Sequence, residues 1–146
     1  MICLDTNVAV AILNGRPPPV RERFRAALES GERIALPSVV LFELSYGAAK
    51  SERRTANAER IAVFLGAGLS VLPFEAEDAE MAGALRADLE RAGTPIGPFD
   101  LLIAAQARRH RATLVTANRR EFARIPDLEI VDWSEPAAGP QRRQKS

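Results

Sequence analysis

The chain has 146 residues, 47% of them apolar, which suits one domain with a sizeable hydrophobic core. The net charge of +1 does not by itself mark a nucleic-acid binder, and the single cysteine, Cys3, excludes an intramolecular disulfide and fits a reducing compartment, with the cytoplasm as the expected location. No basic segment precedes Asp5, so no secretory signal is expected, and the longest apolar stretch, residues 61–69, is too short to cross a bilayer. The charge is unevenly spread, with a net of −3 over residues 1–100 and +4 over residues 101–146. Eighteen of the twenty basic residues are arginine, a side chain suited to bidentate phosphate contacts, although a general preference for arginine explains the same count.

Along the chain, Ile2-Cys3-Leu4 is a short apolar run that reads as a buried strand. Asp5-Thr6-Asn7 follows, then a helix over 8–13 closed by Asn14-Gly15. A proline-rich turn at 16–19 leads to a helix over 20–29 with Val20, Phe24 and Leu28 on one face, ended by Ser30-Gly31. Residues 33–36 read as a second strand. Pro37-Ser38 opens a helix carrying Glu43, and a further helix covers 55–65 before Gly66 and Gly68. Residues 70–74 read as a third strand and 76–91 as a long helix with Met81, Leu85 and Leu89 at four-residue spacing. After a loop at 93–97 come a helix over 98–109, a strand over 113–116, a helical turn near Glu121 and a last strand over 128–131. Strands alternating with helices predict an α/β domain with a mainly parallel sheet over 1–133. Residues 134–146, rich in Pro, Gln, Arg and Ser, read as a disordered tail.

Three carboxylates stand out. Asp5 falls at the end of the first strand, where α/β sheets bind ligands, but aspartate there also caps the following helix. Glu43 sits in Val39-Val40-Leu41-Phe42-Glu43-Leu44, with Val39, Val40 and Gly47 on its own helical face. A glutamate in such a setting needs a cation or a buried arginine. Asp100 lies in the first turn of a helix opened by Gly97-Pro98, where the helix dipole favours an anion. That helix continues as Leu101-Leu102-Ile103-Ala104-Ala105, apolar nearly all round, so Asp100 is expected to face a pocket beside the core.

Acids without histidine or thiolate partners suit Mg²⁺ or Mn²⁺, and such an ion suits in-line displacement at phosphorus. The one histidine, His110, stands among Arg108, Arg109 and Arg111 as a solvated helix end, which excludes a histidine-pair ribonuclease. No G-x-S-x-G or P-loop motif occurs, Asp5-x-Asn7 lacks the second acid of a phosphoaspartate phosphatase, and Gly66-x-Gly68 has no third glycine in step.

Ile2-Cys3-Leu4-Asp5-Thr6-Asn7, the segment from Pro37-Ser38 to Glu43-Leu44, and Phe99-Asp100-Leu101 through Gln106-Ala107 closely resemble the three signature blocks of PIN domains. With Leu114-Val115-Thr116-Ala117-Asn118-Arg119-Arg120-Glu121-Phe122, Ile125-Pro126 and Val131-Asp132-Trp133, the chain is more narrowly similar to the VapC toxins of bacterial toxin–antitoxin pairs. The resemblance implies a three-layer α/β/α fold with four to five strands, a homodimer, and Mg²⁺-dependent RNA cleavage, with Mn²⁺ as a substitute, leaving a 3′-hydroxyl and a 5′-phosphate. It assigns catalysis to Asp5, Glu43 and Asp100, with the cation on Asp5 and Asp100 and Glu43 acting through water. Thr6, Asn7 and Thr116 match supporting positions. Asn118 stands where many PIN domains have aspartate, so Glu121 either supplies the missing charge or forms a capping box with Asn118. Arg119, Arg120 and Arg124 are candidate RNA-backbone contacts or a solvated helix face. A VapB-like antitoxin is implied, its C-terminal segment blocking the acidic pocket, and transfer RNA is the substrate class of similar toxins. The alternative is a non-catalytic PIN-fold module that binds RNA or a partner. A flap-type DNA nuclease ranks last, because the chain is too short for a helical arch.

Overall fold

A computed structural model describes residues 1–135; of the expected tail, residues 136–146 lie outside the described part. The elements are β1 (Ile2–Leu4), α1 (Thr6–Asn14), α2 (Pro18–Glu29), β2 (Ile34–Pro37), α3 (Ser38–Lys50), α4 (Arg54–Leu65), β3 (Ser70–Leu72), α5 (Ala76–Arg91), α6 (Pro98–Arg109), β4 (Thr113–Val115), α7 (Arg119–Phe122) and β5 (Ile130–Val131). The five strands form one sheet in the order β3-β2-β1-β4-β5, and every pairing is parallel.

Parallel neighbours need crossover connections, and these are right-handed. The chain steps outward through β1, β2 and β3, then returns across the sheet to β4. The reversal places α5 and α6 on the face opposite the helices of the first half, which gives three layers. The strands carry the short apolar runs of the sequence, with Leu4, Ile34, Leu36, Leu114 and Val115 inaccessible to solvent or nearly so. Ile103, Ala104 and Ala105 of α6 are equally buried, as its all-round apolar sequence predicts. Phe24 of α2 and Phe64 of α4 meet at 5.7 Å on the other side. Trp133 is the last buried apolar residue of the described chain.

Differences from the expected boundaries have local causes. β3 ends at Leu72 because Pro73 has no N–H for the ladder, and the amide of Phe74 instead donates to Ser38 Oγ at 3.0 Å. α1 begins earlier than expected, at Thr6, because Asp5 itself caps it. It ends at Gly15, whose φ of 69° is the left-handed conformation a helix-terminating glycine adopts freely.

One buried carboxylate had no sequence signal of its own. Asp78 accepts from the Glu75 amide at 2.8 Å within a capping box at the start of α5. It has no solvent exposure, and Arg109, at the end of α6, hydrogen-bonds and pairs with it. Burial pushes the Asp78 carboxyl upward, but the Arg109 bond, the Glu75 amide and the Arg109 charge outweigh it and leave the group below its usual range. This clamp joins α5 to α6 and so fixes the helix that carries Asp100.

Candidate active site

The strand order reverses between β1 and β4, so a crevice opens beyond their carboxyl ends. The Asp5 amide donates to Val115 O at 3.0 Å, and the Thr116 amide to Val131 O at 2.9 Å. Each residue therefore extends the sheet by one step and delivers its side chain at the crevice.

Asp5 is only 3% exposed, and both of its oxygens are held. Oδ1 accepts from the Thr6 amide at 2.7 Å, and Oδ2 from Thr116 Oγ1 at 2.8 Å. The two sequence readings of Asp5 thus coexist: it is the N-cap residue of α1 and a member of the site. Thr6 turns its hydroxyl to Glu43 and donates to Oε1 at 2.7 Å. Glu43 has no arginine partner among the described residues; its fixed neighbour is Thr6. Asn7 is exposed on the first turn of α1.

Asp100 and Glu121 flank Gly97. A Cβ built on that glycine would lie 3.5 Å from Asp100 Oδ2 and 3.7 Å from Glu121 Oε1. Glu121 is braced at both oxygens: Gly97 N–H donates to Oε1 at 2.8 Å and Asn118 Nδ2 to Oε2 at 2.7 Å. The Asn118 amide donates to Thr116 Oγ1 at 3.0 Å, which links this corner back to Asp5. The capping-box reading of Asn118 and Glu121 needs correction. Asn118 makes no side-chain cap to α7; its amide group is turned to Glu121 instead, so the three-residue spacing serves a strut between α7 and the start of α6.

The electrostatics mark these four acids as one group. Burial raises the Asp5 carboxyl, the Thr116 and Thr6 bonds oppose it, and the charges of Glu43 and Glu121 add to the rise. Burial, with the charges of Asp5, Glu121 and Glu43, pushes Asp100 up to about 6. Glu121 moves the other way, because the Gly97 and Asn118 bonds hold its charged form, with help from Arg124. The donors are hard oxygens alone, which fits Mg²⁺ or Mn²⁺. Among the described residues no three acidic, histidine or cysteine side chains are drawn together closely enough to enclose a cation. The fit is therefore to an ion that keeps most of its waters and takes one or two carboxylates, as Mg²⁺ does.

The PIN domain family description matches residues 2–128. The chain belongs to the PIN domain family. This PIN domain is 42% identical over 131 residues to the tRNA(fMet)-specific endonuclease VapC of Shigella flexneri, spanning 90% of this chain and 96% of that protein. It is 40% identical over 130 residues to Ribonuclease VapC2 of Rickettsia felis, across 89% of this chain and 96% of the relative. Its fold superposes with a TM-score of 0.84, at 39% identity, on the crystal structure of VapBC2 from Rickettsia felis bound to a DNA fragment from their promoter, covering 91% of this chain and 99% of that one.

The arginines expected to meet RNA are spread over α7 and the residues after it. Arg119 reaches toward Asp132 and Glu135, at 4.0 and 3.8 Å. Arg120 is exposed. Arg124 donates to Pro95 O at 2.8 Å in the loop before α6. Sequence reasoning missed an exposed aromatic cluster beside the acids. Phe42 and Phe99, 54% and 45% exposed, meet at 5.6 Å with their rings tilted by 43°, and Tyr46 follows one turn after Phe42 with Lys50 over its ring. Each phenylalanine immediately precedes a site carboxylate, and the i, i+4 aromatic pair on a solvent face was the available signal.

Proposed function

We propose that this PIN domain is an endoribonuclease toxin whose acidic crevice hydrolyses RNA with Mg²⁺, Mn²⁺ substituting. The ribonuclease names of its VapC relatives support the activity. The observation that carries the site is Asp5: a buried carboxylate at the sheet's switch point, surrounded by like charges, with no matched cation among the described residues. Asp5 and Asp100 hold the cation, and Glu43 orients a water in its shell. Thr116 fixes the face Asp5 presents, Thr6 fixes Glu43, and Asn118 with Glu121 fixes the Gly97 turn from which Asp100 projects. When bound, the cation supplies a Lewis acid for the phosphate and an acidified water as nucleophile. Transfer RNA is the proposed substrate class, after the name of the Shigella flexneri relative. The cytoplasm is the proposed location, because transfer RNA is the proposed substrate.

A VapB-like antitoxin is the proposed partner, supported by the VapBC complex that this fold matches. An apolar groove of ≈ 790 Å³ between α1, α2 and α4 suits the apolar face of its C-terminal segment, with Phe24, Leu28, Val63 and Phe64 inside and Arg21 and Arg25 at the rim. From there the segment reaches the acidic crevice, where an arginine would find four carboxylates. The cluster of Phe42, Tyr46 and Phe99 is the proposed face for a second copy, giving a homodimer. The test is cleavage of total bacterial RNA by the purified chain. Activity with Mg²⁺ or Mn²⁺, lost in EDTA and in Asp5→Asn, is expected. A wild type as inert as Asp5→Asn on every RNA tried would end the enzyme reading.

A further inference from the structure

A second cleft lies between α1, α3 and α4 and has Glu43 in its lining. Its volume is ≈ 230 Å³, and Thr6 and Glu43 form the wall it shares with the acidic crevice. Val10, Leu44 and Ile61 give it apolar sides, and Val10 lies open to solvent at the mouth. The far end is polar. Arg60 bonds to Leu13 O and to Asn14 Oδ1 at 3.3 Å, and its other terminal nitrogen lies 3.5 Å from Asn57 Oδ1. Ligand pockets for drug-sized molecules run to roughly 300–1,000 Å³, so this space suits one flat ring system and not a dinucleotide.

Gly47 leaves the cleft open along α3. It lies one turn after Glu43 on the same face of α3 and lines the cleft. A glycine inside a helix weakens it relative to alanine. Nothing in the backbone requires one here: its φ is not in the left-handed region, and a Cβ built on it meets no atom within 4 Å. The side chain it lacks would project into open space beside the catalytic glutamate.

We infer that this cleft seats the nucleobase of a nucleotide flanking the scissile phosphate, with Gly47 admitting the ring and Asn57 and Arg60 reading its polar edge. The inference rests on RNA cleavage at the acidic crevice. An RNA cut between Asp5, Glu43 and Asp100 must place an adjoining nucleotide within reach of the shared wall. A base there stacks between apolar side chains, and its Watson–Crick edge points to an amide oxygen and guanidinium N–H groups. Gly47, Asn57 and Arg60 are then specificity residues rather than members of the metal site.

The test compares wild type with Gly47→Ala, Gly47→Leu and Asn57→Ala as full-length proteins. Total bacterial RNA is digested and its new ends sequenced, and the preferred site is then made as a synthetic RNA with one abasic nucleotide at each position around the cut. Gly47→Ala should melt at the same temperature as wild type or higher, yet cleave more slowly. Gly47→Leu should lower kcat/KM by about tenfold or more and weaken base preference at one flanking position. Wild type should slow when that same position is abasic, and Gly47→Leu should be indifferent to it. Asn57→Ala should alter preference there while keeping the fold, and it decides the matter if Gly47→Leu does not fold. A folded Gly47→Leu with wild-type rate and base preference overturns the inference, as does one that only escapes antitoxin inhibition, which would assign the cleft to the partner. Cleavage lost in Asp100→Asn but untouched by Gly47→Leu removes the base pocket alone. Cleavage absent from wild type removes the nuclease reading with it.

Discussion

The two most deeply buried carboxylates among the described residues are held in opposite ways. Asp78, at the start of α5, is matched by Arg109 and lies below its usual pKa range. Asp5, at the end of β1, has hydrogen bonds but no cationic partner among the described residues, faces Glu43 and Glu121, and lies above its usual range. Burying a charge is costly in either place. At Asp78 the protein supplies the compensation itself, so the pair acts as a structural clamp. At Asp5 no such compensation occurs among the described residues, which suits the proposed cation site. Burial alone does not separate function from structure; the sign of the surrounding charge does.

That contrast breaks most sharply by substitution at the site. Asp5→Asn or Asp100→Asn should reduce RNA cleavage on the order of a thousandfold, because each removes a carboxylate proposed to hold the cation. The same variants should melt a few degrees higher than wild type in EDTA, since a repelled charge is gone; circular dichroism melts check this. A fall in melting temperature in EDTA would place Asp5 or Asp100 with Asp78 among the structural acids. Asp78→Ala should do the reverse. Arg109 would keep only Glu75 as an acidic partner and the Glu75 amide would lose its cap, so folding stability, measured by urea unfolding, should fall while the folded fraction keeps its turnover.

Glu121→Gln sharpens the boundary between the two classes. Both oxygens of Glu121 accept from N–H donors, so an amide must turn one NH₂ against a donor. The strut to Gly97 loosens, and kcat/KM should fall about tenfold, with Glu121→Ala falling further. An unchanged rate in both would leave Asp100 positioned by α6 alone.

The smallest effect is on pH dependence. Asp100 titrates near 6 when folded and at its ordinary 3.8 when unfolded, so the folded state binds protons that the unfolded chain has released. Metal-free stability from this group therefore rises as pH is lowered through 6 and falls as pH rises through the same window. Asp78 has the opposite sign: its contribution is present above pH 3.8 and is lost as pH falls through its depressed folded value. Unfolding in EDTA should thus show a gain as pH falls from about 6 to 3.8 that Asp100→Asn abolishes, followed by a loss at lower pH that Asp78→Asn removes. Cleavage should decline below pH 6, where protons compete with the cation at Asp100.

Much of the site was readable in one dimension. Asp5, Glu43 and Asp100 stand out because an acid inside an apolar strand end or helix is expensive, and the expense is visible in the neighbouring residues. The alternating strand and helix signals, with caps and glycine stops, are likewise local properties, and they set an α/β domain with parallel strands. Asp78 left no such mark, because its surroundings in sequence are polar and the arginine that matches it lies 31 residues away. The spacing of Asn118 and Glu121 pointed to a cap for the same reason: the second partner of Glu121, the Gly97 amide, is 24 residues distant.

The sequence by itself determined which residues carry charge into apolar settings, and with that the family, the sheet and the three acids first met at Asp5. Only the tertiary structure decided what each buried charge faces. The return from β3 to β4 makes a crevice that gathers acids from β1, α3, α6 and α7, while α5 and α6 lock Asp78 onto Arg109. Electrostatic energy depends on distance in space, and contacts between residues far apart in sequence are set by the fold as a whole.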